Sequence, residues 1–410
     1  MNASRRKALL EARLEQAGLR GRRIPRRTGS GPWRLSFAQQ RLWLLDQLSP
    51  GGALYNVPLA LRLRGELDEG ALEASLARLA ERHEALRTRF AAEGGVPYQV
   101  VEAAWEPRLE RHDLNGEADV ERALEAGLAS EARRGFDLSR LPLMRASLWR
   151  LGERDQVLVL LVHHIVFDGW SAGVVARELG ELYGAYRSGR EARLGELEIQ
   201  YADYAEWQRE ELAGERLERQ LGYWRERLTG AAALELPADR PRPPVQRFAG
   251  AHEIIFFSRE LKERVAALAR QEGCTVFHVL TAAAAVLLAR YSGLRDVVIG
   301  TAVANRDRAE TAGVVGCFLN TLVMRFDLSG DPTFAELLGQ VRRRSLEALS
   351  NQDVPFERLV EELRPARDPS RNPLFQVLVT YLNAASTQPA LDGLEAEQLL
   401  AETETAALDL

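Results

Sequence analysis

Apolar runs broken by turn residues divide this chain into short strands and amphipathic helices. Residues 54–64 alternate with a period of two, as a half-buried strand does, whereas 69–82 repeat every three to four positions, as a helix does. Ahead of them Ser36 is placed to cap a helix carrying Leu42, Trp43 and Leu45, which Ser49-Pro50-Gly51-Gly52 ends. Strands are predicted near 97–102, 143–150 and 156–162, around a helix at 118–133. One long helix is predicted over 201–228, its aromatic residues serving the core or bridging two lobes. Four prolines then fall within 237–244, the strongest internal boundary in the chain. Beyond it a second series starts: a strand at 252–257, helices at 259–271 and 275–291, and a buried strand at 296–308 running into a polar turn. A strand at 316–327, helices at 334–349 and 351–363, and a strand at 370–383 complete it. The pattern thus predicts an α/β protein with a helix and linker or docking segment at 1–33, an N-terminal lobe at 34–230, a linker at 231–250 and a C-terminal lobe at 251–410.

Chemistry concentrates in one stretch, QVLVLLVHHIVFDGWS at 156–171. Its apolar run predicts a strand buried on both faces, ending in His163 and His164. Asp168, Gly169 and a helix pattern with Val175, Leu179, Leu182 and Tyr186 follow. Side chains alternate across a strand, so one histidine packs inward while the other faces a pocket. A neutral imidazole can accept a proton from an attacking amine or hydroxyl. Asp168 is placed either to orient that ring or to lock the loop through an arginine elsewhere. Gly169 permits close backbone approach, and helix-start N–H groups suit a developing oxyanion. The two histidines point apart with no third His or Cys nearby in sequence, so no zinc site is expected. His83, in RHEALRTRF at 82–90, is expected to pack and pair within the lobe.

Composition narrows the classes. With 46% hydrophobic and 28% charged residues the chain is globular, and 410 residues suit two domains. A net charge of -5 argues against nucleic-acid binding, which needs a broad basic face. Cys274 and Cys317 both lie in apolar sequence and imply no disulfide framework. No signal-peptide pattern or membrane-length apolar run is present, which predicts a cytoplasmic protein.

Several segments, in order, resemble the condensation domains of nonribosomal peptide synthetases: SFAQQRLWLLDQL, RHEALRTRF, VHHIVFDGWS, YADYAEWQ, IGTAVANR with GCFLNTLVMR, and NQDVPFERLVEELRPARDPSRNPLFQV. HHxxxDG alone also occurs in related ester-forming acyltransferases; the ordered set is specific. The resemblance implies two chloramphenicol-acetyltransferase-like lobes in a V-shaped pseudo-dimer, with a tunnel between them. It implies that His164 faces the tunnel and His163 packs inward. Asp168 pairs with an arginine, for which Arg306 is the candidate, Gly169 lies beside the donor thioester, and Trp170 and Asn320 line the tunnel.

The implied reaction joins two substrates carried on 4'-phosphopantetheine arms of upstream and downstream carrier proteins, beside a neighbouring adenylation domain. No metal or other cofactor is needed, and a monomer is expected. The intact double histidine argues against the heterocyclising type, and the opening segment resembles the type joining an L-donor to an L-acceptor. A starter type taking a fatty acyl donor stays open, as do an ester-forming relative and a non-catalytic recruitment module. Against the family pattern the chain stops before a final strand and helix, which is expected to bare a sheet edge.

Overall fold

The computed structural model describes residues 23–29, 31–366, 368–381, 389–401 and 403–410. Of the helix and linker or docking segment predicted at 1–33, residues 1–22 lie outside them. The first half runs β1 (Trp33–Arg34), α1 (Phe37–Leu48), β2 (Asn56–Gly65), α2 (Glu69–Arg82), β3 (Thr88–Glu93), β4 (Val96–Val101), β5 (Leu109–Asp113), α3 (Val120–Ala132), β6 (Met144–Gly152), β7 (Asp155–His163) and α4 (Gly169–Ser188). The second continues with α5 (Tyr201–Glu211), α6 (Gly214–Leu228), α7 (Arg259–Gln271), α8 (Val276–Ser292), β8 (Asp296–Val303), β9 (Asn320–Asp327), α9 (Phe334–Ser350), α10 (Phe356–Leu363) and β10 (Leu394–Leu399).

The sheet that holds the histidines has the order β10-β2-β7-β6-β5. Strand β7 pairs antiparallel with β2 on one side and β6 on the other, from Val157 opposite Arg62 to Val162 opposite Met144. Both faces of β7 are covered, which is why it reads as an unbroken apolar run. Val157 and Val159 join Leu124 and Leu128 of α3 and Trp149 in one cluster. Leu158 and Leu160 belong to the larger cluster with Val175 and Leu179 of α4. A smaller sheet, β1-β4-β3, lies beside this lobe. Strand β3 occupies 88–93, a strand that the RHEALRTRF segment does not announce, and β5 is likewise unannounced.

Four expectations need correction. The predicted helix at 201–228 is two helices, broken at Leu212–Ala213, with Gly214 at φ +65°. The break sends its two halves to different cores. Tyr201 and Tyr204 pack in the cluster of the histidine sheet, whereas Leu217, Leu221, Trp224 and Leu228 pack with β8, β9 and α9. A straight rod would not serve both. The stretch 252–257 forms no strand, and Ile255 and Phe256 are 76% and 89% exposed; among the described residues it has no ladder partner. Of the stretch 370–383, residues 370–381 are described, and among them the predicted strand is reduced to one parallel bridge, Gly300 with Leu378, where Gly300 N–H donates to Val377 O and Val379 N–H to Gly300 O, each at 2.9 Å. Finally β10, in the span assigned to the second lobe, pairs antiparallel with β2 of the first sheet from Leu394 opposite Gly65 to Leu399 opposite Ala60. The chain therefore crosses back and closes the first sheet's edge.

Trp224 is 2% exposed, donates from Nε1 to Asn351 O at 3.0 Å and anchors α6 on the second core. Trp224→Ala is expected to cost about 3–5 kcal/mol in denaturant unfolding, as other large-to-small core changes do.

Candidate active site

Strand β7 delivers His163 as its last residue, and the chain then turns through a short 3₁₀ segment, His164–Val166, before Asp168 caps α4. The histidines diverge. His163 is 3% exposed and sits between the rings of Tyr55 and Phe136, with centroids at 6.4 and 5.9 Å. Its Nδ1 accepts from Ile165 N–H at 3.2 Å, which fixes the ring and tightens the turn. Burial, aided by the neighbouring His164, lowers its pKa to about 3, so it stays neutral in ordinary buffers. His164 keeps partial exposure, and its backbone N–H donates to Tyr55 O at 2.8 Å. Its Nδ1 lies 3.6 Å from Cys317 Sγ. Burial lowers the His164 pKa, while the Asp168 charge and the carbonyls of His164 and Phe167 pull the other way. Near neutral pH the ring is a neutral base.

Asp168 ties the loop to the rest of the molecule. Its carboxylate is 0% exposed. Oδ1 accepts from Ser171 N–H and Ser171 Oγ, both at 2.7 Å, capping α4. The Arg306 guanidinium, with a side chain only 1% exposed, lies 3.0 and 3.1 Å from the two oxygens. Oδ2 also accepts from Phe318 N–H at 3.0 Å. Arg306 in turn donates to Thr311 O at 2.7 Å and Val314 O at 2.6 Å, and stacks 3.9 Å from the Phe318 ring. Every contact beyond Ser171 comes from residues 306–318, so this ion pair fastens that segment to the HHxxxDG loop. Of the two roles left open for Asp168, the geometry is that of a lock.

Gly169 opens α4, and a Cβ added there would meet nothing within 4 Å. The protein's own packing does not demand a glycine at this position. Trp170 is 49% exposed, with Nε1 donating to Ala312 O at 2.9 Å. Asn320, expected to line a channel, is instead a buried staple. Its Nδ2 donates to Gln352 O at 2.7 Å and Val354 O at 2.8 Å, and its Oδ1 accepts from Phe356 N–H at 3.1 Å and Thr321 N–H at 2.8 Å. With the amide saturated by backbone, it holds the start of α10 on β9. His83 is wholly buried and bonded through Nε2 to Glu178 at 2.8 Å, where Arg82 also binds at 3.0 Å.

Three site residues escape a reading of the sequence. Ser171 has a legible signal, since a capping aspartate uses the N–H three residues on. Tyr201 and Cys317 have none: the Tyr201 hydroxyl lies 2.8 Å from Ser36 Oγ and bonds Cys317 O, contacts set by tertiary folding alone. Arg41 on α1 pairs with Glu357 on α10 at 3.7 Å, near the same junction.

The condensation-domain family profile matches residues 31–409. The chain belongs to that family. It is 50% identical over 364 residues to one of the linear gramicidin synthase proteins of Brevibacillus parabrevis, covering 88% of this chain and 7% of that protein. It is 46% identical over 379 residues to phosphinothricin tripeptide synthetase PhsC of Streptomyces viridochromogenes, covering 91% and 35%. The chain thus spans only a small part of these relatives. Among solved structures, the X-domain from teicoplanin biosynthesis superposes with a TM-score of 0.84 at 33% identity, covering 95% of this chain and 86% of that one. The first condensation domain of the calcium-dependent antibiotic synthetase, in complex with a substrate analogue, gives 0.75 at 26% identity, covering 92% and 86%. The expected α/β fold of two lobes is the fold of these neighbours. Condensation domains are the amide-forming acyltransferases of nonribosomal peptide synthetases. Among the described residues no single helix is long and apolar enough to cross a membrane.

Two outcomes follow. Asp168→Asn removes one partner of a desolvated ion pair and is expected to lower stability by about 3–5 kcal/mol in denaturant titration. The depressed His163 pKa sets an acid limit. Between the free-imidazole value of 6.5 and about 3, the unfolded chain binds a proton here that the native state does not. Stability therefore falls as pH drops through that window, by up to ~1.4 kcal/mol per pH unit from this group. His163→Asn should flatten the pH dependence of unfolding by about that slope, measured between pH 5.5 and 4.

Proposed function

We propose that this chain condenses two carrier-bound substrates, with His164 as the group that handles the amine. An upstream carrier presents an acyl or peptidyl thioester on its phosphopantetheine arm, and a downstream carrier presents an aminoacyl thioester. The acceptor's α-amine attacks the donor carbonyl, forming the C–N bond. His164 takes a proton from the amine nitrogen and returns it to the departing phosphopantetheine sulfur as the C–S bond breaks. The donor carrier leaves as a free thiol and the lengthened chain remains on the acceptor. Arms and activation both arrive with the substrates, so the domain itself needs no metal or diffusible cofactor.

The observation that carries this reading is His164 directly after a buried strand, its ring kept neutral by burial, with Gly169, where a Cβ would meet nothing within 4 Å, five residues on. A free α-amine titrates near 8, so part of it is already neutral at pH 7. The load on His164 is correspondingly moderate, and holding two thioesters in register contributes as much through proximity. Gly169 is then the point of donor approach, with Trp170 at its margin, and Asp168, Arg306 and His163 hold the loop. An adenylation domain beside it selects the acceptor, and the work is cytoplasmic. The intact double histidine argues against a cyclising type, and the opening segment SFAQQRLWLLDQL fits the type that joins an L-donor to an L-acceptor.

A recruitment role is the second reading, favoured by the likeness to the teicoplanin X-domain, solved also in complex with OxyB. Intact-mass spectrometry of a loaded donor and a loaded acceptor carrier mixed with the protein separates the two. Transfer of the donor mass to the acceptor is expected, slowed roughly 10²–10⁴-fold in His164→Ala. Transfer at the wild-type rate in that variant would remove His164 from the chemistry. No transfer by folded wild-type protein with acyl, aminoacyl or fatty acyl donors would favour recruitment.

A further inference from the structure

Residues 316–318 pass the HHxxxDG loop with three consecutive main-chain groups fixed from outside. Gly316 N–H donates to Ser171 Oγ at 3.1 Å, Cys317 O accepts from the Tyr201 hydroxyl, and Phe318 N–H donates to Asp168 Oδ2 at 3.0 Å. The approach is close: a Cβ on Gly316 would fall 2.0 Å from Tyr201 Cδ2. With the backbone pinned at every residue, the direction of the Cys317 Cα–Cβ bond is fixed. Its sulfur is held 3.6 Å from His164 Nδ1, in a residue only 3% exposed.

Among the described residues the one side-chain hydrogen-bond partner of the His164 ring is Cys317 Sγ, at Nδ1. Burial pushes the Cys317 thiol pKa up, so the sulfur is uncharged at working pH. A neutral sulfur is a soft, weak acceptor. Accepting from Nδ1–H, it leaves Nε2 as the free base of the neutral ring and resists ring rotation without the strong pull that a carboxylate would exert.

We propose that Cys317 is the positioning residue for His164: its sulfur accepts from Nδ1–H and holds the ring in the tautomer that leaves Nε2 open to the acceptor amine. Its consequence for rate rests on the condensation reading above; the tautomer itself does not. The charged and titratable groups acting on His164 are Asp168, Arg41 and the adjacent His163, and all three stay in place when Cys317 is changed.

The test pairs a substrate-free readout with kinetics. Protein with ¹⁵N-labelled histidine has only six such residues, and the His164 resonances are those that vanish in His164→Ala. In wild type, nitrogen shifts should report the Nδ1–H form. Cys317→Ser keeps an acceptor at nearly the same size and should keep that form, with kcat within about threefold of wild type. Cys317→Ala should show a mixture of tautomers, with kcat about tenfold lower and KM within about twofold, a loss below the full worth of a general base. An Nε2–H form in wild type, or an unchanged tautomer in folded Cys317→Ala, would overturn the assignment. If Cys317→Ala does not fold, Cys317→Val, which folds around a similar volume but offers no acceptor, decides in its place. Wild-type protein that holds the Nδ1–H tautomer yet transfers no acyl group would count against the condensation reading and leave this assignment standing.

Discussion

A carboxylate with no access to water cannot remain charged alone, and Asp168 is in that position. Arg306 answers it, itself almost wholly buried; the carboxylate's other bonds go to Ser171 and Phe318 N–H, and the guanidinium's to the carbonyls of Thr311 and Val314, with its Nε left unpaired. Such a pair adds little net stability against an apolar replacement, because desolvation offsets most of the attraction. What it adds is position. The charges can be satisfied only when the loop after β7 and the segment 306–318 meet in one register. His164 lies four residues before Asp168, and Cys317 one residue before Phe318, so register at the pair is register at the site.

The same logic runs through the chain's path. Helices α5 and α6 follow one another but serve different cores, and β10 returns from the C-terminal region to complete the sheet that presents the histidines. Arg41–Glu357 adds a further contact between α1 and α10. The two lobes are thus tied by connecting chain, by a shared sheet and by the Asp168–Arg306 and Arg41–Glu357 ion pairs. A site assembled at such a junction has its groups held by rigid elements rather than by a free loop.

Much of this is legible in the residues alone. The run 156–162 announces a doubly covered strand, two adjacent histidines have to diverge, and the ordered motifs point to both family and lobe pair. Arg306 stands out as the partner of Asp168 through that resemblance; spacing alone cannot find a residue 138 positions away. Asn320 misleads because a buried asparagine looks the same in sequence whether it faces a ligand or, as here, the backbone of residues 352–356. The break at Gly214 hides inside a strong helical pattern, since a single glycine is tolerated in helices and only the two separate cores reveal why the axis must change. The apolar run at 254–257 promises a strand, but a strand is made by its neighbour, and none pairs with it among the described residues. Cys317 reads simply as a residue in apolar sequence; its place against His164 depends on three backbone bonds that only the fold supplies.

If Asp168 and Arg306 act as one unit, a double-mutant cycle with Asp168→Asn, Arg306→Met and the double variant, read by denaturant unfolding, measures that unity directly. Strong coupling is expected, with the double variant less destabilised than the sum of the singles by roughly 2–3 kcal/mol, as contacting buried partners show. Additive effects would mean that each residue serves its own neighbours and that the pair does not set the register of the site.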